Sequence, residues 1–519
     1  MNRAVAGGAL AAATVLALTV GPLVAVAGRA DGSAGLGPAD WAALRFTLLQ
    51  ATLSALLSVA LAVPVARALS RRRFPGRAVL VTLMGAPFIL PVIVAVLGLL
   101  AVFGRNGLIS HALGLFGLPP VNIYGLQGVV LAHVFFNLPL ATRLVLQGWQ
   151  AIPSEHFRLA ASLGFHKSDI ARVLERPMLK QVLPGAAMVV FVISLTSFAV
   201  VLALGGGPRA STIELAIYQA FRFDFDLGKA ALLAVLQFSL GAVAVAAMLA
   251  LRMPDAGTPG HDRPLVLWHG QDGAARLVDA LWIMLAGALL VLPLGAIVAR
   301  GIGGIATMPA PVLAAALRSL AVSLGAVLVG LSLALPIAFG AHALGRRHPV
   351  AAGIMEAVGT LAIAASALVI GLGLFIMLQP LGDPLRWVLP VTAVVNGVMS
   401  LPFLLRALVP AVARIETRFG RLADSLGLVG WQRLRHLHLP RLRRPLGFSA
   451  GLAAALSMGD LGVVALFADG HQATLPLQLY RLMAAYRMEQ AAGAALLLLV
   501  LALALFWLFD RGGRIGAET

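Results

Sequence analysis

The chain has 519 residues, 60% of them hydrophobic and only 12% charged, with a formal net charge of +18 and no cysteine. A soluble domain carries roughly 25% charged residues and the mean hydropathy here is +0.94, so the composition excludes a soluble fold and indicates a polytopic membrane protein. Disulfides, thiolate metal sites and cysteine nucleophiles are excluded, and the arginines sit in short loops, which fits membrane orientation better than nucleic-acid binding.

Apolar runs of about 20 residues, enough to cross a bilayer, recur twelve times, near 4–27, 45–69, 78–103, 124–146, 186–205, 228–251, 276–299, 313–342, 351–377, 387–409, 447–468 and 490–510. The first run, with Arg3 ahead of it and Ala25-Val26-Ala27 at its end, also has the layout of a cleavable secretory segment. Its length and the even helix count favour retention. The sets Arg67/Arg71/Arg72/Arg73/Arg77, Arg143 to Lys180, Arg252 to Arg276, Arg346/Arg347 and Arg406 to Arg444 fall on one side, the cytoplasm, opposite Asp31, Asp40, Asp383 and Asp469. Both termini are therefore expected in the cytoplasm, with the protein a multi-pass component of a bacterial inner membrane.

A cytoplasmic loop occurs twice. Arg158 to Pro177 and Arg421 to Pro440 share a Leu-Ala-x-Ser-Leu-Gly core followed thirteen residues later by proline, so that Gly164 answers Gly427 and Pro177 answers Pro440, 263 positions on. At the same offset His133 answers Asn396, Asn137 answers Ser400, Ser194 answers Ser457 and Ser197 answers Asp460. Leu61 to Pro64 matches Leu333 to Pro336 at an offset of 272, so the second copy is shorter in the external loop corresponding to 104–122. The chain divides into two parallel six-helix halves, 1–262 with a core at about 45–251, and 263–519 with a core at about 313–510.

Within each loop Leu159, Ala160 and Leu163, or Leu422, Ala423 and Leu426, have helical spacing, and the glycine stands where such a helix would stop. One basic loop of this kind reads as an interfacial helix on lipid headgroups. Two matched copies favour docking into a partner.

These loops resemble the EAA coupling loop of ABC importer permeases, in which a glycine is followed by a proline about thirteen residues on. Arg158 and Arg421 replace the glutamate usual in that family. The resemblance implies coupling loops at 153–184 and 415–446 that use Ala160, Ala161, Leu163, Gly164, Pro177, Ala423, Ser425, Leu426, Gly427 and Pro440 to seat two copies of a separate cytoplasmic ATPase. The stretches at 66–77, 124–147, 202–220 and 457–467 are similar to the fused permease of bacterial thiamine and thiamine-diphosphate importers. That family implies an all-α type I importer fold and a periplasmic solute-binding partner. Fused ferric-iron permeases share the duplicated layout, and a gradient-driven secondary transporter is the alternative of a different class.

No GxxxxGK[ST] stretch occurs, so ATP and Mg would be used by the partner, with no cofactor bound by this chain. The Gly205-Gly206-Gly207-Pro208 run lacks the lysine, and neither HExxH nor a pair of catalytic carboxylates lies within the spans. The protein is expected to be a transport subunit, not an enzyme, without a metal site or nucleic-acid partner. Polar residues within spans are expensive and mark pathways. His133 and Asn137, one turn apart, with Asn396, Ser400, Ser197 and Asp460, are therefore candidates for a translocation path, against the plain reading that each hydrogen-bonds a neighbouring helix. Asp460 is weighted toward a structural or gating role. The matched segments 211–221 and 473–483, with Tyr218 answering Tyr480, read as interfacial helices at the outer mouth that serve as a membrane anchor or as a landing surface for a binding protein.

Overall fold

The computed structural model describes residues 3–30, 35–85, 87, 89–207, 210–251, 273–345, 347–467 and 472–514. Asp31, Pro208, Arg346, Asp469, the boundary at 262/263 and most of the Arg252 to Arg276 loop lie outside the described residues. Among the described residues every regular element is helical.

The first half of the chain forms α1 (Arg3–Ala27), α2 (Pro38–Arg71), α3 (Arg77–Leu83), α4 (Val92–Phe103), α5 (Leu108–Gly114), α6 (Leu126–Ala151), α7 (Ser154–Ser162), α8 (Lys167–Ile170), α9 (Arg176–Leu195), α10 (Ala199–Leu204), α11 (Ile213–Arg222) and α12 (Leu227–Ala250). The second half forms α13 (Gly273–Ile305), α14 (Pro311–Gly345), α15 (Pro349–Thr360), α16 (Ala367–Leu378), α17 (Val388–Ser425), α18 (Gly430–Arg433), α19 (Leu439–Met458), α20 (Gly462–Phe467), α21 (Leu475–Ala484) and α22 (Met488–Arg514).

Eleven helical stretches among the described residues are long and apolar enough to cross a bilayer, one fewer than the twelve expected runs. The run near 351–377 is not one helix. α15 ends at Thr360, a tight turn follows over Leu361–Ala364, and α16 restarts after Ser366, whose hydroxyl accepts from the Val369 amide. The run near 78–103 is likewise split between α3 and α4, where Pro91 supplies no N–H and turns the preceding residue away from helix. The fifth span begins earlier than 186 and breaks at Thr196 to Phe198 before α10, and its counterpart breaks at Gly459 to Leu461 before α20. Apolar composition reports immersion and is blind to such backbone breaks.

Ahead of Pro177 and Pro440 the helix widens into a π turn, over Ala171–Glu175 and Leu434–His438. Proline has no amide hydrogen and its ring presses on the carbonyl four residues back, so one extra residue is accommodated in the ladder.

Each half's first long helix leans on the opposite half. α1 packs along α14 and α16, while α13 packs along α2 and α4 of the first half as well as along α22 of its own. Small residues allow the approach: a Cβ added at Gly8 would lie 2.9 Å from the Gly340 Cα, and one at Gly98 would lie 2.8 Å from the Pro293 carbonyl oxygen. Gly304 of α13 and Gly493 of α22 meet backbone to backbone. Leu285, Leu292, Leu317, Leu324 and Leu328 are exposed along the second half's first two helices, an apolar surface suited to lipid.

Candidate functional site

Both repeated segments end a short helical run in the same way. The Phe165 amide donates to the Ala160 carbonyl (2.9 Å) and Gly164 donates to Ala161 (3.1 Å); Leu428 donates to Ala423 (2.9 Å) and Gly427 to Asp424 (3.1 Å). This is a Schellman cap, and it needs a left-handed residue. Gly164 has φ +69° and Gly427 has φ +64°. Ser162 and Ser425 each donate to the carbonyl three residues back, Leu159 and Leu422, at 2.8 Å.

The caps present apolar side chains outward. Leu159 and Leu163 are 58% and 63% exposed, Leu422 and Leu426 57% and 65%. Gly164, Pro177, Ser425 and Gly427 are also exposed, Ala161 and Pro440 are half-buried, and Ala160 and Ala423 are buried. Ala160 packs with Phe157 and Ile170, closing the segment on itself.

Ion pairs fasten the segments to the bundle. Buried Glu175, at the end of the first π turn, receives Arg67 and Arg71 of α2, both at 2.8 Å. In the second half Glu416 of α17 takes Arg433 and, at 3.0 Å, His438, and Arg433 reaches Asp424 at 2.6 Å. The Phe339 ring of α14 meets the His438 imidazole edge-on at 4.8 Å. Glu175 and His438 stand at matched positions, so one scaffold position is held by two different chemistries.

The polar residues singled out within the spans are largely buried, and each is bonded inside its own half. His133 Nδ1 lies 3.1 Å from Ser54 Oγ and Nε2 lies 2.7 Å from Ser197 Oγ, an arrangement a neutral ring meets with one donor and one acceptor. Asn137 donates to Ser194 (3.3 Å), Asn396 donates to Ser457 (3.0 Å), and Ser400 donates to the Gly397 carbonyl (2.7 Å). Asp460 sits in the break between α19 and α20, where Oδ1 accepts from the Gly462 amide (3.2 Å). Among the described residues no hydrogen bond joins the first set to the second.

The matched segments expected at the outer mouth form helices, α11 and α21, but these are wedged into the bundle. The Ile213 amide donates to Thr47 Oγ1 of α2 (3.0 Å) and the Leu475 amide to Ser319 Oγ of α14 (2.8 Å). Tyr218 and Tyr480 share a cleft of about 280 Å³. Beside it Phe221, Phe375 and Phe467 close on one another with centroids 5.0 to 5.5 Å apart, joining α11 to the second half. Glu214 of α11 is buried, and burial pushes its carboxyl up to about 8 against the bonds from Ser366 and Gln237. The sequence reading missed this acid, the aromatic trio and Glu416: Glu214 and Phe221 lie in a segment read as an interfacial helix, Phe375 and Phe467 in runs read only as membrane spans, and Glu416 in the second loop.

No family model matches the sequence. Curated relatives do. A thiamine transport system permease protein of Brucella abortus is 38% identical over 533 aligned residues, spanning 100% of this chain and 97% of the relative. Its counterpart in Escherichia coli is 40% identical over 481 residues, spanning 91% and 89%. The chain belongs to the family of thiamine transport system permease proteins. This permease also shares 29% identity over 202 residues with the sulfate transport system permease protein of Salmonella typhimurium, 38% of this chain and 72% of that one. It is an all-helical, multi-pass membrane permease of an ABC importer, a transport subunit in class.

Proposed function

We propose that this permease moves thiamine and its phosphates inward across a bacterial inner membrane, driven by two copies of a cytoplasmic ATPase and supplied by a periplasmic binding protein. The observation that carries the reading is the full-length similarity to permeases named for thiamine transport. The paired Schellman turns support the two ATPase seats, since each offers two exposed leucines on a rigid cap. ATP and Mg stay with the partner, this chain binds no cofactor, and both termini lie in the cytoplasm.

In this reading the ATPases grip the α7 turn and the Leu422–Gly427 turn, and their closure is passed through the Glu175 and Glu416 clamps to α2, α9, α17 and α19. The breaks at Ser197 and Asp460 are where the central helices flex, and the polar sets around His133, Asn137, Asn396 and Ser400 become the path as the halves part. The phenylalanine trio is the outer closure. The test is uptake of labelled thiamine, thiamine monophosphate and thiamine diphosphate into proteoliposomes holding permease, ATPase and binding protein. ATP-dependent uptake that requires the binding protein is expected. Uptake driven by an ion gradient with no ATPase, or iron uptake indifferent to thiamine, would overturn it.

A further inference from the structure

The cytoplasmic ends of α17 and α19 enclose a cleft of about 980 Å³, floored by Ile415 and Pro445 and ringed by Arg414, Arg418, Arg441 and Arg444. No carboxylate lines it. The nearest acid in sequence, Glu416, is engaged by Arg433 and His438. The Phe419 ring, which also lines the cleft, has the Arg418 guanidinium 5.4 Å and the Arg441 guanidinium 4.2 Å from its centre. Arg414 and Arg444 have no hydrogen bond or ion pair among the described residues.

Depth decides what the cleft meets. α17 starts at Val388, and at 1.5 Å per residue a hydrocarbon core of ~30 Å is crossed in about 20 residues. Arg414 and Arg418, 26 and 30 residues beyond Val388, therefore stand ~9 and ~15 Å past that core, from where their long side chains reach back toward the headgroups on the arginine-rich side. The first half has no such cleft chemistry, because Ala151, Glu155, Met178 and Gln181 occupy the four matched positions. Membrane orientation needs only basic loops. It does not call for four arginines converging on one concave, acid-free surface in one half.

We propose that this cleft binds the headgroup of an acidic phospholipid of the cytoplasmic leaflet, with a two-phosphate headgroup such as that of cardiolipin as its best charge match. Guanidinium forks pair with phosphate oxygens two bonds at a time, and basic pockets between membrane helices on the cytoplasmic side suit such lipids. Ile415 and the proline rings receive the glycerol and the first methylenes. The bound lipid ties α17 to α19 close to the second coupling turn, a tie that the first half lacks.

The experiment is native mass spectrometry of the detergent-purified permease–ATPase complex titrated with cardiolipin, phosphatidylglycerol and phosphatidylethanolamine. Cardiolipin should be retained through delipidation. Arg414→Gln with Arg444→Gln should weaken it roughly 25-fold, at about fivefold per arginine, while Arg414→Lys with Arg444→Lys keeps most of the binding and Arg435→Gln outside the cleft leaves it unchanged. Equal retention by wild type and the double glutamine variant would overturn the proposal. Sodium pyrophosphate binding more tightly than cardiolipin would make the cleft a soluble-anion site. Loss of the ATPase from the glutamine variant with lipid unchanged would make it a seat for the partner protein.

Discussion

Glu416 stands in the second half where Pro153 stands in the first, and the exchange gives the two repeated segments different backbones. At Pro153 the chain leaves α6 and re-enters a separate helix, α7. At Glu416 helix α17 runs on unbroken to Ser425, and its carboxylate takes Arg433 and His438. The two Schellman turns are thus alike in themselves and mounted differently, one on a hinge and one on a rigid rod.

Glu416→Pro should convert the second mount into the first. A proline inside a helix costs about 3 kcal/mol, and here it also removes the acceptor for Arg433 and His438. Glu416→Gln, which keeps the helix, should cost about 1–2 kcal/mol through the weaker neutral hydrogen bonds. Thermal unfolding in detergent ranks the two; equal melting of Glu416→Pro and wild type would show that the rod is not needed.

Gly164→Ala and Gly427→Ala should each lower ATP-driven uptake. The penalty is conformational, about 1–2 kcal/mol for a left-handed residue with a Cβ, since nothing lies within 4 Å of the added carbon. Uptake and retention of the ATPase on the purified permease report it. Unchanged values in the double variant would assign the turns to the membrane surface.

Gly493→Leu should disrupt the seat of α13 on α22, where the Gly304 backbone leaves no room for a side chain. Overpacking typically costs 1–3 kcal/mol. A lowered melting temperature with normal insertion is the expected result, and Gly303→Leu, at a site with open space, is the matched control.

Glu214 makes stability fall in alkali. The folded carboxyl keeps its proton to about 8, whereas the ordinary value is 4.5, so the folded state binds more protons between those limits. Its contribution is full below about 4.5 and is lost as the pH rises through 8. Melting at pH 6 and pH 9 should differ in the wild type, and the difference should shrink in Glu214→Gln. An identical pH dependence in the two proteins would remove Glu214 as its source.

His133→Ala and Asn396→Ala test whether the matched polar sets share one path. Each should slow transport without changing solute affinity of the binding protein, and the double variant should depart from additivity. Silence in all three would leave these residues as helix-packing contacts, the role that their bonds to Ser54, Ser197 and Ser457 already describe.

Some features of this permease were legible in the chain itself because they are local. Hydropathy over about 20 residues registers immersion, and a glycine after a short apolar period registers a left-handed cap, so the membrane class and the turns at Gly164 and Gly427 follow from neighbouring residues alone. The tertiary structure decided the rest. Glu175 meets Arg67 and Arg71 from 108 and 104 positions away, Phe221 meets Phe375 and Phe467 across the two halves, and α1 lies against α14. None of these partners is set by spacing. The breaks at Ser197 and Asp460 were also invisible, because an apolar run reads the same whether its backbone is continuous or interrupted, and only packing against the other helices selects between the two.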